Sequence, residues 1–503
     1  VWYDHINNIQ SIVEDGTMAR REVHKNVVLL IVAVAQFMVV LDSSIVNVAL
    51  PSIYRALHFS SQSSLQWVVT AYTLAFGGFL LLGGRAADLY GRKRLFIGAT
   101  ALFSIASLLT GLSQNSTMID ILRAFQGLVA AFMSPAALSI VITTFKEGKE
   151  RAFALSIWGA VAAGGAAAGV LLGGILTQYL DWRWNFFVNV PVGLTIAFAA
   201  RRYVPESHAN LAHRNLDLPG AVLVTTGLMI LVFAFTKGPE YGWSSSKTLE
   251  LLVASIVLLA LFAFNETRAK HPLMPLRIFT VRSIGGANLT QLPITAALFS
   301  MFFFVTLYVQ NVLHYSPVLS GISFLPVTFA IGGISVLMQK VIGKIGYKKP
   351  IVFAPLLVAF GLFLLSHFPV QGHYWTNVFP GLIIVAAGVG MTFISITIAA
   401  TTGVEAKDSG LASGLLNTSQ QIGGSLGLAI LSGVSASSAV TYIKLHASQA
   451  KAPLTQVAAE VHGFQHALYV GIGFALAATI ISSLLIHEQR GEVVEIDPTA
   501  LAG

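Results

Sequence analysis

The chain has 503 residues, 55% hydrophobic and only 10% charged, with a mean hydropathy of +0.74 and a formal net charge of +8. No soluble domain of this length is so apolar, and repeated hydrophobic stretches of about 20 residues mean a polytopic membrane protein. The basic residues sit in short loops between those stretches, so the positive balance does not argue for nucleic acid, and zero cysteines exclude disulfides, iron–sulfur clusters and cysteine zinc sites.

VWYDHINNIQSIVEDGT precedes Met18, and MARREVHKN makes a natural start, so residues 1–17 are expected to be an upstream extension with no ordered role. The first apolar run is too long for a cleavable signal peptide and carries an acid. Hydropathy predicts fourteen spans, at roughly 27–54, 64–84, 94–113, 118–145, 152–179, 184–203, 218–236, 249–265, 284–312, 318–341, 350–368, 376–401, 408–438 and 464–486. About 23 of the 30 basic residues fall on one side of these spans, which the positive-inside rule makes cytoplasmic. Both termini are then inside.

The first span, LLIVAVAQFMVVLDSSIVNVALPSIY, holds a single acid, Asp42. A charge inside a spanning helix costs about 3 kcal/mol even on lenient insertion scales, so it usually serves transport or proton relay. The competing reading is a structural charge that neutralises a buried arginine, which is an expensive way to pack helices.

The loop after the second span reads GGRAADLYGRKR, with Gly84, Arg85, Asp88, Gly91 and Arg92 in order. Two glycines flanking an acid allow a tight turn against a neighbouring helix. Asp88 can pair with the cations or with a helix N-terminus. A loop that merely obeys the positive-inside rule explains the cations but not the ordered Gly–Asp–Gly.

In the fourth span, Arg123 lies about five residues deep, roughly 8 Å from the outer face. Asp42 comes to nearly the same depth from the other side, in the outer half of a core about 30 Å thick. The two are therefore expected to pair, directly or through water or Gln126. In the alternative, Arg123 snorkels to the outer headgroups.

The fifth span, WGAVAAGGAAAGVLLGG, places Gly165, Gly169 and Gly173 every four residues on one face, where small side chains allow close helix approach. The thirteenth, SGLLNTSQQIGGSLGLAIL, brings Asn417, Gln420 and Gln421, which either line a cavity or bond between helices. Aromatic candidates for a cavity are Phe37, Trp67, Tyr72, Phe76, Trp158, Phe303 and Tyr308, whose faces suit lipophilic cations.

An internal repeat joins the halves. LHFS at 57–60 recurs as LHYS at 313–316, Gly77-Gly78 as Gly332-Gly333, Gly84-Arg85 as Gly343-Lys344 and Gly164-Gly165 as Gly423-Gly424, at offsets of roughly 255–259. Two parallel six-helix halves, spans 1–6 and 9–14, are implied, with a substrate site near the midplane between them. The counterpart of the first span, around Ser300–Phe303, has no acid, so proton coupling would rest on the first half.

The glycine loop resembles the signature between the second and third helices of the major facilitator superfamily. LDSSIVNVALP at 41–51 is similar to the first-helix signature of its fourteen-helix drug:proton antiporters, Arg123-Ala124-Phe125-Gln126-Gly127 to their fourth-helix motif, and DWRWNFFVNVPVG at 181–193 to the start of their sixth. The glycine face of the fifth span is similar to the antiporter signature, with Ala166 and Val170 where prolines are common, so a straighter helix is expected. The resemblance spans residues 18 to about 485. It implies an all-α major facilitator fold of fourteen transmembrane helices and an Arg123 that faces the central cavity in proton coupling.

The expected organisation is an N-terminal tail (1–25), a six-helix bundle (26–205), a linker with helices 7 and 8 (206–282), a second bundle (283–487) and a C-terminal tail (488–503). The expected function is proton-coupled export of hydrophobic or cationic drugs across the plasma membrane, conferring antibiotic resistance. Asp42 and Arg123 would couple the proton. Gln126, Asn417, Gln420 and the aromatic set would bind substrate, and the loop and fifth-span glycines would gate. Alternatives are an exporter of lipids or of an endogenous secondary metabolite, an import symporter or a non-transporting sensor. No cofactor, metal, nucleic acid or catalytic residue is expected, and neither GxxxxGK[ST] nor HExxH occurs. The partners would be protons, membrane lipids and the small-molecule substrate, and the chain would act as a monomer.

Overall fold

The computed structural model describes residues 2–146, 149–207, 217–270, 272–274, 282–401, 409–446 and 452–486, and within them the side chains of residues 2–24, 62–63, 88, 149, 152, 156, 159, 162–163, 282, 401 and 409–410 are not described. Asp88, an expected gating residue, is among these. The C-terminal tail lies outside the described residues. All regular structure among the described residues is helical: α1 (Trp2–Ala56), α2 (Gln62–Leu65), α3 (Trp67–Tyr90), α4 (Arg92–Gly111), α5 (Ser116–Thr144), α6 (Lys149–Tyr179), α7 (Trp184–Phe187) and α8 (Asn189–Tyr203) come first. The second part holds α9 (Leu218–Tyr241), α10 (Ser246–Arg268), α11 (Arg282–Leu307), α12 (Pro317–Ile345), α13 (Lys348–Leu365), α14 (Phe379–Thr401), α15 (Ser409–Leu445) and α16 (Pro453–Leu485).

Each of the fourteen expected spans coincides with helix. Among the described residues, twelve helices are long and apolar enough to cross a membrane. The two others are α6, the expected fifth span, and the sixth span, which divides at Val188 into α7 and the 15-residue α8. The backbone of residues 2–17, expected to have no ordered role, continues α1 as helix. Between spans 13 and 14, α15 runs on to Leu445 and α16 begins at Pro453, so most of the described residues of the connecting stretch are helical.

Local chemistry sets several helix starts. Ser316 accepts a hydrogen bond from the Leu319 amide, and Pro317 follows at the first helical position, where its missing N–H costs nothing. Asn115 caps α5 through Met118 N and Asp217 caps α9 through Gly220 N. Glu206 lies at the start of α4, accepting from Lys93 N at 3.1 Å with Arg94 Nε 3.7 Å away.

The repeat appears in the backbone itself. His58 and His314, the second residues of LHFS and LHYS, are the non-glycine residues with positive φ among those described, at 52° and 55°. Gly91 and Gly346 carry φ of 103° and 76° in the paired loops between spans 2 and 3 and between spans 10 and 11. Packing repeats as well: α1 lies along α6 as α11 lies along α15, and α4 along α5 as α13 along α14. A Cβ on Gly165 would sit 3.3 Å from Phe37 O, and one on Gly423 would sit 2.3 Å from Leu292 O. Close approach at glycine therefore joins the fifth helix of each half to the first.

The basic loops mark one end of the bundle, hereafter the basic end; the other, with Leu57, Asn115 and His314, is the far end. Between the halves, α6 packs on α12 and α3 on α15. α9 lies against both α3 and α15, and α10 packs on α9.

Candidate functional site

Four helices deliver polar side chains to one buried point near the far end. α1 contributes Asp42, α5 contributes Arg123 and, one turn on, Gln126, while α8 contributes Asn189 and α4 Ser107. Arg123 Nη1 donates to Asp42 Oδ2 at 2.6 Å and to Gln126 Oε1 at 2.9 Å. The other carboxylate oxygen, Oδ1, accepts from Gln126 Nε2 and Asn189 Nδ2, both at 2.8 Å. Ser107 Oγ accepts from Asn189 at 3.1 Å and donates to Phe186 O at 2.8 Å. Arg123 Nε donates to Val68 O at 2.8 Å, and the guanidinium carbon lies 4.2 Å from the centre of the Tyr72 ring.

None of these groups meets solvent: Asp42 and Gln126 are 0% exposed, Arg123 and Asn189 1%. A buried ion pair is costly unless further hydrogen bonds engage it, and here Gln126, Asn189 and the Val68 carbonyl supply them. The Tyr72 hydroxyl alone in this cluster is buried without a partner among the described residues.

Glycines make the convergence possible. A Cβ on Gly193, one turn beyond Asn189, would strike Ser104 Oγ at 2.1 Å, and one on Gly127, beside Gln126, would lie 2.1 Å from Tyr72 O. On the opposite face of α1, Gly169 and Gly173 let α6 settle so closely that Cβ atoms would stand 1.8 Å from Ser44 Oγ and 2.5 Å from Ile45 O. α6 runs as one continuous helix over Lys149–Tyr179.

The far end is sealed above the site. Val46, Leu50, Ile119, Trp182 and Phe186 are buried there, and Gln310 Nε2 of the second half donates to Val48 O at 2.8 Å. Toward the basic end, the α1 face carrying Ser43, Val40 and Gln36 is only half-buried, and Gln36 Oε1 accepts from Ser134 Oγ at 2.9 Å.

Arg123 does not snorkel: its charge is spent on Asp42 inside the bundle. Tyr72 and Phe76 stack on one another, with ring centres 6.1 Å apart, beside the pair. Phe37 and Trp158 are half-buried on α1 and α6, Gln420 is half-buried on α15, and Asn417 is exposed with its amide donating to Ser413 O at 3.2 Å. Gly84 and Arg85 occupy the last turns of α3, Gly91 breaks the helix, and Arg92 begins α4.

Three expected cavity residues sit elsewhere. Trp67 packs against Phe233 of the linker helix α9, with ring centres 6.3 Å apart. Phe303 and Tyr308 are 1% and 0% exposed in the core of the second half. Tyr308 stacks on Phe368 at 4.0 Å and donates its hydroxyl to Pro369 O, which leaves no face for a ligand in this conformation.

Asn189 and Ser107 were not anticipated. Asn189 lies within the quoted DWRWNFFVNVPVG stretch, about five residues below the far face, so the counting that paired Arg123 with Asp42 also places it at that depth. Ser107 had no comparable signal, being one hydroxyl among several in an apolar helix.

The profile of the Major Facilitator Superfamily matches residues 32–428. The chain belongs to that superfamily. Among curated members, it is 39% identical over 464 residues to the puromycin resistance protein pur8 of Streptomyces alboniger, covering 92% of this chain and 91% of that one. It is 38% identical to the cephamycin export protein CmcT of Amycolatopsis lactamdurans, over 80% of this chain and 83% of that protein. Among solved structures, a bacterial homologue of the human lysosomal transporter Spinster superposes with a TM-score of 0.67 at 15% identity, over 92% of this chain and 97% of that one. Membership makes the protein a multi-pass membrane transporter.

Proposed function

We propose that the protein is a proton-coupled antiporter that exports hydrophobic or cationic drugs across the plasma membrane by alternating access. The observation that carries the chemistry is the buried pair of Asp42 and Arg123, with both carboxylate oxygens fully engaged. The cargo class rests on the relatives named as puromycin resistance and cephamycin export proteins. The positive-inside rule puts the basic end, and with it both termini, in the cytoplasm. Two bundles, 26–205 and 283–487, joined by the linker 206–282, rock about a midplane site, with one chain as the working unit.

In this reading the structure, closed at the far end, is the inward-facing state with Asp42 ionised and paired. Opening outward is accompanied by a rearrangement within the first bundle, of α5 against α1, that moves Arg123 away. The carboxylate then loses the charge that favoured its ionised form, takes a proton from outside and lets substrate go. Return to the inward state restores the pair, expels the proton to the cytoplasm and readies the site for new cargo. Gln126 and Asn189 hold the carboxylate in register while Arg123 comes and goes, and Tyr72 supports the guanidinium through its ring.

The test is puromycin flux in proteoliposomes under an imposed pH gradient. Wild-type protein should accumulate puromycin against its gradient, and Asp42→Asn should not. Gradient-driven accumulation by Asp42→Asn would overturn the proton-coupling role.

A second reading, that the natural cargo is a secondary metabolite, draws on relatives named for export of cephamycin and of tetracenomycin C. It uses the same machinery and differs only in which member of a substrate panel is carried best. A lipid cargo would show instead as competition by phospholipid in that panel.

A further inference from the structure

Arg123 has a second acid on its own helix. Asp120 lies three residues before it, which puts the two Cβ atoms about 5–6 Å apart on neighbouring lines of α5. It stands about 4.5 Å nearer the far end. Asp120 is half-buried, and its Oδ1 is closed off from solvent with no hydrogen-bond partner among the described residues. An ionised carboxylate buried without a donor is costly, so such a group either stays neutral or waits for a cation.

The surroundings offer few other charges. From residue 26 to residue 205 the acids are Asp42, Asp88, Asp120, Glu147, Glu150 and Asp181. Asp88, Glu147 and Glu150 fall in the basic loops between spans, at the other end of the bundle. Asp181 is engaged by Arg183, whose N–H and guanidinium donate to Oδ1 at 2.9 and 3.4 Å. α3 and α4 pack along α5, and their outer halves carry no charged residue, Tyr72 being the titratable side chain there. α1 brings Asp42, Tyr54 and Arg55 to this end, and Arg55 Nε donates to Pro51 O at 3.2 Å. α6 adds Tyr179 at its end.

We infer that Arg123 alternates between two partners, Asp42 in the inward-facing state and Asp120 in the outward-facing state, and that Asp120 loads the proton from outside. A guanidinium that leaves Asp42 needs another anion, because a buried charge stripped of its partner is strongly destabilising. Asp120 is within reach by side-chain rotation along the same helix, and acid-before-base is the order that suits the helix dipole. As the guanidinium arrives, Asp120 gives up its proton and Asp42, now without its cation, takes it. On return, Arg123 goes back to Asp42, the proton leaves Asp42 for the cytoplasm, and Asp120 refills from the far end. Each state holds one guanidinium, one carboxylate and one neutral acid. The buried charge therefore stays constant while one proton moves inward per cycle. The inference deepens the proton-coupling reading and rests on it for the direction of proton movement, but the exchange of partners is a property of the first bundle alone.

The infrared carbonyl stretch of a protonated carboxyl group reports that exchange without any transport. It is recorded on purified full-length protein at neutral pH, as the difference between wild type and each variant. Asp120→Asn should remove one such band. Asp42→Asn should remove the same band, because Arg123 then settles on Asp120 and ionises it. The double variant Asp42→Asn with Arg123→Gln should bring it back. A spectrum untouched by Asp120→Asn, or a band that survives Asp42→Asn, would overturn the exchange of partners.

Flux tests the loading step. In proteoliposomes, Asp120→Asn should lose puromycin accumulation driven by a pH gradient, and Asp120→Glu should regain it. Accumulation by Asp120→Asn at the wild-type rate would overturn loading through Asp120. A wild-type protein that moves no puromycin, yet shows the band changes, counts against the cargo reading and supports the two-partner exchange.

Discussion

Asn189 Nδ2 stands 2.8 Å from Asp42 Oδ1, the carboxylate oxygen that Arg123 leaves to others, so Asp42 is held from the fourth and the sixth transmembrane helices at once. This double hold separates two consequences that a simple ion pair would merge. Losing Arg123 strands a buried charge, whereas losing Asn189 loosens the carboxylate while the pair remains.

Arg123→Ala should therefore cost about 3–5 kcal/mol of stability, because it removes the partner of a buried carboxylate, which must then stay unpaired or take up a proton. The double variant Asp42→Asn with Arg123→Gln should recover most of that loss and still fail to couple. Thermal unfolding in detergent, followed by flux in vesicles, checks both halves of the statement. Asn189→Ala should cost less, about 1–3 kcal/mol for an unmet buried group.

The glycine face of α6 predicts a sharp positional contrast. Gly173→Ala puts a Cβ 2.5 Å from the Ile45 carbonyl, where backbone cannot yield, and Gly164→Ala puts one in open space. The first should lose about 1–3 kcal/mol through overpacking and most transport, and the second should behave as wild type. Equal effects at the two positions would mean that α6 does not seat on α1 as described.

His58 and His314 hold left-handed backbone at φ of 52° and 55° with exposed side chains. A β-branched residue is strained there, by about 1–3 kcal/mol. His58→Val and His314→Val should each destabilise by similar amounts, while the glycine variants stay neutral or gain. Matching losses at two sites in different halves would be the energetic trace of the duplication, and can be read from the same unfolding curves.

Much of this architecture was legible because the bilayer fixes helix length and so converts sequence position into depth. That conversion pairs Asp42 with Arg123 from sequence position alone, and the LHFS and LHYS repeat falls where His58 and His314 take left-handed backbone. Depth does not fix azimuth, however, and the misplaced residues follow from that. Tyr308 and Phe303 sit at reasonable depths but turn into the second half's own core. Trp67 faces α9, whose place across the α3–α15 seam no periodicity in the linker indicated. Asn189 was within reach of the same counting. Ser107 was not, since a hydroxyl in an apolar helix more commonly bonds its own backbone.

The most direct test of the central claim compares two modes of transport in one protein. Proteoliposomes containing Asp42→Asn are assayed for puromycin exchange at equal concentrations and for puromycin accumulation driven by a pH gradient. The account predicts that exchange continues, since the cargo path is intact, while gradient-driven accumulation and substrate-induced proton movement disappear. Accumulation that still follows the pH gradient in Asp42→Asn would contradict it.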